Sequence, residues 1–322
     1  MPSLTISQLK GKASFQDLGR NTAQHLGFSG SGAADEYSYL LANQLIGNKL
    51  IENQFSAAAL EITFGQLSLI ANEACQLVIT GADCQPYIEF KNGKELVVKN
   101  NKVFTLSQGD TLNLAMPRKQ LHSYIAISGG FSATHWLNSA SQTKNEYTLE
   151  FGEAELTKGT KLHFSADSSS YMPVDEHITK NKTSHNFHQS EQLVLRFLPS
   201  PLWLTLTPHT QQLFLNQRYQ ISPKSNRMGY RLLGKPLIVK NVSQTLSKPI
   251  NYGTIQLPND GQPIVLMKER QTIGGYPTLG TVIQTDLFRL SQKRPCEKIR
   301  FISASLEHAQ AQLFAFRERF RD

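Results

Sequence analysis

The segment from Thr254 to Asp286 holds the densest set of residue types suited to binding and polarising a small molecule. It contains Gln256-Leu257-Pro258-Asn259-Asp260-Gly261-Gln262-Pro263 and then Arg270-Gln271-Thr272-Ile273-Gly274-Gly275-Tyr276-Pro277. Arg270 offers a planar fork of donors that matches a carboxylate or a phosphate. Gln271 and Thr272 bring both donors and acceptors. Gly274-Gly275 lets the backbone take positive φ and approach a ligand closely. The same two stretches also read as two β-turns, or a bulge, in a barrel. Residue types alone leave both readings open.

Other motifs fail one requirement each. Gly229-Tyr230-Arg231-Leu232-Leu233-Gly234-Lys235 matches a P-loop up to its lysine. Pro236 then replaces the hydroxyl that would hold Mg²⁺, and Leu237-Ile238-Val239 reads as a strand where a helix is required. Gly27-Phe28-Ser29-Gly30-Ser31-Gly32 runs into a helix start at Asp35. A glycine-rich loop opening on a helix N-terminus can hold an anion, and a tight turn is the plainer alternative. It is neither a dinucleotide fingerprint nor a nucleophile elbow, because Asp35 and Ser31 stand where glycine is needed. Met267-Lys268 lacks the second methionine of a biotin attachment site. Cys75, Cys84 and Cys296 include no Cys-x-x-Cys pair and read as buried thiols. His185 and His188 lie in a polar run with no helical pattern to fix their rings, and read as a loop.

These residues must be positioned by a largely β scaffold. Short β-branched runs bounded by Gly, Asn, Asp or Pro predict strands at 60–64, 76–80, 123–127, 192–197, 236–239 and 298–302. Asn92-Gly93 predicts a tight two-residue hairpin within 87–98. Two helices are expected. One spans 35–46, capped by Asp35 and stopped by Gly47-Asn48; the other carries Leu306, Ala309, Leu313, Phe316 and Phe320 on one face. A chain of 322 residues accommodates two domains. The polar stretch 165–191 reads as the linker, giving domains at 1–180 and 190–322. The 33 Lys and Arg exceed the 25 Asp and Glu, but they are scattered. Lys91–Lys102 has no interleaved aromatics, so it reads as solvated hairpin lysines and not as a nucleic-acid surface. No apolar run approaches the roughly 20 residues of a membrane helix, and the N-terminal residues lack a signal-peptide pattern. The expectation is a cytoplasmic protein that binds neither membrane nor nucleic acid.

Four blocks resemble the allophanate hydrolase subunit 2 (KipA) family of biotin-dependent carboxyltransferase-like proteins, and within it the C subunits of 5-oxoprolinase. They are Ser31-Gly32-Ala33-Ala34-Asp35 with Ala42-Asn43-Gln44-Leu45-Ile46-Gly47-Asn48; Leu60-Glu61-Ile62; Asn226-Arg227-Met228-Gly229-Tyr230-Arg231-Leu232; and Thr254 to Leu287. The resemblance implies two cyclophilin-like β-barrel domains and a KipI-like partner, the B subunit. It also implies a lactam hydrolase, the A subunit, that completes ring opening, and ATP with Mg²⁺ consumed by the complex. No covalent biotin is expected on this chain. In related urea carboxylases the equivalent domains move a carboxyl group from carboxybiotin to urea. KipA-like proteins are also associated with antagonism of a kinase inhibitor. The candidates for holding charge or acting as a base are Arg227, Arg231, Arg270, Gln271 and Asp35, the last also a plain helix cap. The candidates for contacting substrate are Tyr230, Asn259, Thr272, Gly274, Gly275, Tyr276 and Pro277. The chain departs from the family where Leu137-Asn138-Ser139-Ala140-Ser141-Gln142-Thr143 replaces a Leu-Gly-Ser-Arg-Ser-Thr block, removing an arginine. Lys268-Glu269 also stands where Ala-Asp is common.

Overall fold

A computed structural model describes residues 1–20, 22–48, 57–143, 155–165, 192–239 and 246–320. They fall into two compact units, one within Met1–Arg20 and Ser31–Asn186 and the other within Asn21–Gly30 and Phe187–Asp322. The short segment 21–30 thus packs in the C-terminal unit, which a linear division of the chain does not anticipate. Most of the expected linker, with His185 and His188, lies outside the described residues.

The N-terminal unit contains β1 (Ser3–Leu9), β2 (Lys12–Gln16), α1 (Glu36–Leu45), β3 (Ala59–Thr63), β4 (Leu67–Ala71), β5 (Cys75–Gly81), β6 (Tyr87–Glu89), β7 (Glu95–Val97), β8 (Phe104–Leu106), β9 (Thr111–Leu114), β10 (His122–Ile127) and β11 (Lys161–His163). One sheet runs β11-β1-β4-β9-β6-β7 and the other β2-β3-β10-β5-β8. Strand alternation explains the core between them. Leu4, Ile6, Leu69 and Leu112 meet Phe15, Ile62, Ile79 and Ile125 in one buried cluster. All six residues of β10 are buried, because α1 packs on β10 and β5. The hairpin forms, but Gly93 alone takes positive φ (76°). The turn closes from Gly93 N–H to Phe90 O and from Phe90 N–H to Lys94 O. It is therefore longer than the two-residue turn expected, which needs both central residues left-handed.

The C-terminal unit contains β12 (Leu193–Pro199), α2 (Pro201–Thr205), α3 (Pro208–Asn216), β13 (Tyr219–Ile221), β14 (Gly229–Leu233), β15 (Lys248–Pro249), β16 (Thr254–Gln256), β17 (Ile264–Leu266), β18 (Ile273–Gly274), β19 (Thr278–Val282), α4 (Gln284–Ser291), β20 (Lys298–Ser303) and α5 (Leu306–Glu318). Seven strands close a barrel in the order β12-β19-β16-β17-β14-β13-β20, so this unit keeps no free edge in that sheet. Phe197, Trp203, Phe214, Tyr219 and Phe301 fill part of its core, with Phe214 stacked on Phe301 at 4.6 Å between centroids. The expected mostly-β architecture is what the chain forms; of the two barrels expected, the C-terminal one closes in seven strands, while the N-terminal unit is built from a six-stranded and a five-stranded sheet. Residues 236–239 are an exception, since they form no strand. Pro236 lacks an N–H to donate, and Leu237 N–H instead bonds Gly261 O at 3.0 Å.

The cysteines divide by burial. Cys75 and Cys84 are buried, whereas Cys296 is exposed, contrary to the expectation of three buried thiols. Cys296 lies in the turn before β20, with φ of 72°. Burial pushes the Cys75 thiol up from 9.0 to about 12. A thiol reagent at pH 8 is expected to label Cys296 quickly, and Cys75 and Cys84 only after denaturation. Cys75 ionises more readily unfolded than folded. Its contribution to stability is therefore complete below pH 9 and is lost as pH rises toward 12. Mass spectrometry of the labelled chain and alkaline denaturation curves check the two statements.

Candidate functional site

Arg270 follows the tight turn after β17. Its Nε–H donates to Ile250 O at 3.2 Å and its Nη2 to Gln24 Oε1 at 3.3 Å. The guanidinium lies 5.8 Å from the centroid of the Tyr252 ring, and Lys268 Nζ lies 4.9 Å from the same centroid. Two cations thus share one aromatic ring. Burial draws the Arg270 pKa downward, partly offset by Tyr252. Among the described residues no Asp or Glu forms an ion pair with Arg270. Its side chain keeps a positive charge that no described carboxylate neutralises.

The glycine pair works differently from the expectation. Neither Gly274 nor Gly275 takes positive φ. Gly274 is closely approached by side chains: a Cβ there would lie 2.3 Å from Ile250 Cδ1 and 2.8 Å from both Gln256 Nε2 and Gln271 Nε2, so these side-chain ends would have to shift. Gly274 pairs with Lys248 across the β15–β18 ribbon. Gln256 is buried, and among the described residues no acceptor reaches its Nε2. Such an orphan donor costs about 1–3 kcal/mol. Gln271, Tyr276 and Asn259 are exposed, while Thr272, Gly275 and Pro277 are half-buried. Thr272 O accepts from Ile250 N–H at 3.0 Å.

The other candidates are held by structural contacts. Arg227 Nε donates to Glu269 Oε1 at 2.5 Å, and Glu269 N–H donates to Arg227 O at 2.8 Å. This pair fixes the turn that carries Arg270. Arg231 is exposed on β14, where its backbone N–H donates to Ser225 Oγ. The hydroxyl of buried Tyr230 donates to Ser291 O at 2.9 Å. Asp35 belongs to the N-terminal unit and is fully buried. It accepts from Ser38 N–H at 3.3 Å and from Ser38 Oγ at 2.6 Å, as a helix cap does. Its own N–H donates to Tyr124 Oη, which in turn donates to Glu61 Oε2 at 2.7 Å. Burial, then Glu61 and Asp35, push the Tyr124 pKa far up, so the phenol stays a neutral donor. In the loop before α1, Gly32 is needed on two counts: its φ is 99°, and a Cβ there would lie 2.9 Å from Leu18 O.

The family model for the carboxyltransferase domain, subdomain A and B, matches residues 26–303. The chain belongs to this family. It is 32% identical over 303 residues to the C subunit of 5-oxoprolinase from Escherichia coli, covering 91% of this chain and 89% of that one. It is 30% identical to the protein of the same name from Haemophilus influenzae, covering 95% and 93%. The crystal structure of the Kluyveromyces lactis urea amidolyase superposes with a TM-score of 0.84 at 19% identity. That likeness covers 99% of this chain but only 20% of the amidolyase, and it shows the fold. The crystal structure of TTHA0988 superposes with a TM-score of 0.75 at 26% identity, covering 94% of this chain and 56% of that one.

Within this carboxyltransferase-domain scaffold, both departures from the block pattern have definite places. Ala140 is 1% exposed in the N-terminal core, so no charge stands there. Lys268 and Glu269 supply the second cation on Tyr252 and the partner of Arg227. Sequence reading missed Gln24, Tyr252 and Gln256. Gln24 is distant in sequence from every motif of the C-terminal unit, and Gln256 and Tyr252 carry no charge that marks them.

Among the described residues, no helix is long and apolar enough to cross a membrane.

Proposed function

We propose that this chain is the C subunit of an ATP-dependent 5-oxoprolinase, acting with a lactam hydrolase (the A subunit) and a KipI-like protein (the B subunit). The observation that carries the reading is Arg270, a half-buried guanidinium whose partners among the described residues are uncharged. The two relatives named as C subunits of 5-oxoprolinase support it. An unstrained amide resists water because resonance protects its carbonyl. In the proposed reaction the lactam oxygen attacks the γ-phosphorus of ATP, and ADP leaves. The phosphorylated lactam loses its amide resonance; a water adds at carbon and the ring C–N bond breaks, leaving the amine and a glutamyl acyl phosphate, which a second water hydrolyses to glutamate and phosphate. Charge gathers on oxygens throughout, and a preoriented guanidinium favours such states. Arg270 takes that role, and Gln271 and Thr272 orient the substrate, with Gly274 letting the Gln271 and Gln256 amides sit close to the ribbon. Arg227 holds the Arg270 turn through Glu269.

Mg²⁺ enters with ATP, as part of the nucleotide substrate. Among the described residues no group of three His, Cys, Asp or Glu side chains gathers to hold a metal ion. Lys268 is only 7% exposed, which disfavours it as a point of biotin attachment.

A second reading, carboxyl transfer to urea or a similar amide, draws on the 24% identity to the urea amidolyase of Saccharomyces cerevisiae. It requires a biotin-bearing partner. The deciding experiment mixes the three subunits and measures ADP release. Release that needs both 5-oxoproline and this chain upholds the first reading. No release from an assembled complex, with carboxylation of urea once a biotin carboxylase is supplied, replaces it with the second. Assembly without either reaction leaves the non-enzymatic KipA-like role.

A further inference from the structure

We propose that Gln24 is the positioning residue of Arg270, and that its neutrality is what leaves this site able to take an anionic oxygen ligand. The inference rests on the reading of Arg270 as the anion-holding cation.

Gln24 opens a short 3₁₀ turn, Gln24–Leu26, ended by Gly27 at φ of 88°. The turn sits in the segment that packs with the C-terminal unit. Its side-chain amide is used at both ends. Oε1 accepts from Arg270 Nη2 at 3.3 Å, while Nε2 donates to Ile250 O at 2.8 Å and to Thr272 O at 3.4 Å. Ile250 O also accepts from Arg270 Nε–H at 3.2 Å. One amide therefore ties the guanidinium to the residues that flank the β15–β18 ribbon. Only a group that both donates and accepts can make this set of bonds.

A glutamate at position 24 would grip Arg270 more strongly, through a charge-assisted pair. It would also cancel the charge and set a carboxylate against two carbonyl oxygens. The observed glutamine fixes the guanidinium without neutralising it. The other partners of Arg270 among the described residues are likewise uncharged: a carbonyl and the ring of Tyr252. Lys268 adds a second positive charge on that ring. Of the five N–H donors of an arginine, Nε and Nη2 make the hydrogen bonds to described residues, and donors remain for a ligand. The ligand chemistry this selects is an oxyanion, either a carboxylate or a phosphoryl group.

The test is a double-mutant cycle on binding to the full chain. Inorganic phosphate and 5-oxoproline are each titrated by calorimetry into the wild type, Gln24→Glu, Arg270→Met and the double variant. Gln24→Glu is expected to weaken anion binding by about 10- to 100-fold. Adding it to Arg270→Met should cause no further loss, because it acts through that guanidinium. Gln24→Ala, which adds no charge, should lose less than Gln24→Glu, a ranking that a purely structural role does not produce. Binding of either anion that survives Gln24→Glu unchanged overturns the inference, and 5-oxoproline binding would then still support the lactam reading. Equal losses with and without Arg270, or no binding of either anion to the wild type, also overturn it. Phosphate binding with the expected cycle, but none of 5-oxoproline, upholds the inference and removes the lactam reading.

Discussion

Arg270→Met in the assembled complex is expected to lower 5-oxoproline-dependent ADP release by about 100-fold or more while the chain stays folded. The magnitude follows from the environment. The guanidinium is desolvated, is held by two hydrogen bonds and is compensated by no carboxylate among the described residues. An oriented charge in such a site stabilises a developing oxyanion far more than a solvated one does. Methionine keeps much of the apolar stem and its contact with Tyr252, so loss of packing is small. The neighbouring arginines give a graded comparison. Arg227→Ala removes the Glu269 pair at 2.5 Å and loosens the turn that bears Arg270, so turnover should fall by about 10-fold. Arg231→Ala alters an exposed side chain on β14 and should have the smallest effect. Steady-state ADP assays with circular dichroism of each variant decide the order. Normal turnover in all three variants would sink the assignment of charge stabilisation to this segment.

The parts legible in the sequence were those that depend on local pattern. Helix α1 begins where Asp35 caps it and ends before Gly47, and α5 follows the apolar face that ends at Phe320. The expected strands at 60–64, 76–80, 123–127, 192–197 and 298–302 all overlap observed ones closely. Helices α2 and α3 went unread because five and nine residues give too little periodicity. Ser200-Pro201 and Thr207-Pro208 were nevertheless available as start signals, and both hydroxyls cap as such pairs do. The segment holding Arg270 was found through its residue types, and its surroundings were not. Gln24 reaches Arg270 across 246 residues of sequence, and no local rule predicts such a contact. The glycines were noticed for the wrong property. Gly274 matters through the side-chain ends that crowd it and not through its own φ.

The altered block at 137–143 yields a second large effect, on stability: Asp17→Ala is expected to cost about 3–5 kcal/mol. Asp17 is 4% exposed just beyond β2. Its carboxylate accepts from Gly19 N–H, Ser139 Oγ and Ala140 N–H at 2.7 Å each, and from Ser141 Oγ at 2.5 Å. Arg20 complements it by donating Nε to Trp136 O at 3.2 Å and Nη2 to Ser141 O, with its guanidinium over the Trp136 ring. One side chain thus gathers the donors of the 136–142 segment and the other its acceptors. Gln142 completes the arrangement: its N–H donates to Phe15 O and its Oε1 accepts from Phe15 N–H, both at 2.9 Å. The segment lies along β2, the edge strand of its sheet, and covers backbone groups that would otherwise be open to pairing. Removing the carboxylate strands the buried donors of Ser139, Ala140 and Ser141 at once, which is why the expected cost exceeds that of an ordinary substitution. Asp17→Asn keeps an acceptor oxygen and should lose about half as much. Urea denaturation of the full chain gives both values, and a loss below about 1 kcal/mol for Asp17→Ala would contradict the role assigned to this hub. Because Ser139, Ser141 and Gln142 each supply a bond while Ala140 is packed in the core, the polar residues retained in this block hold its place on the sheet without the arginine.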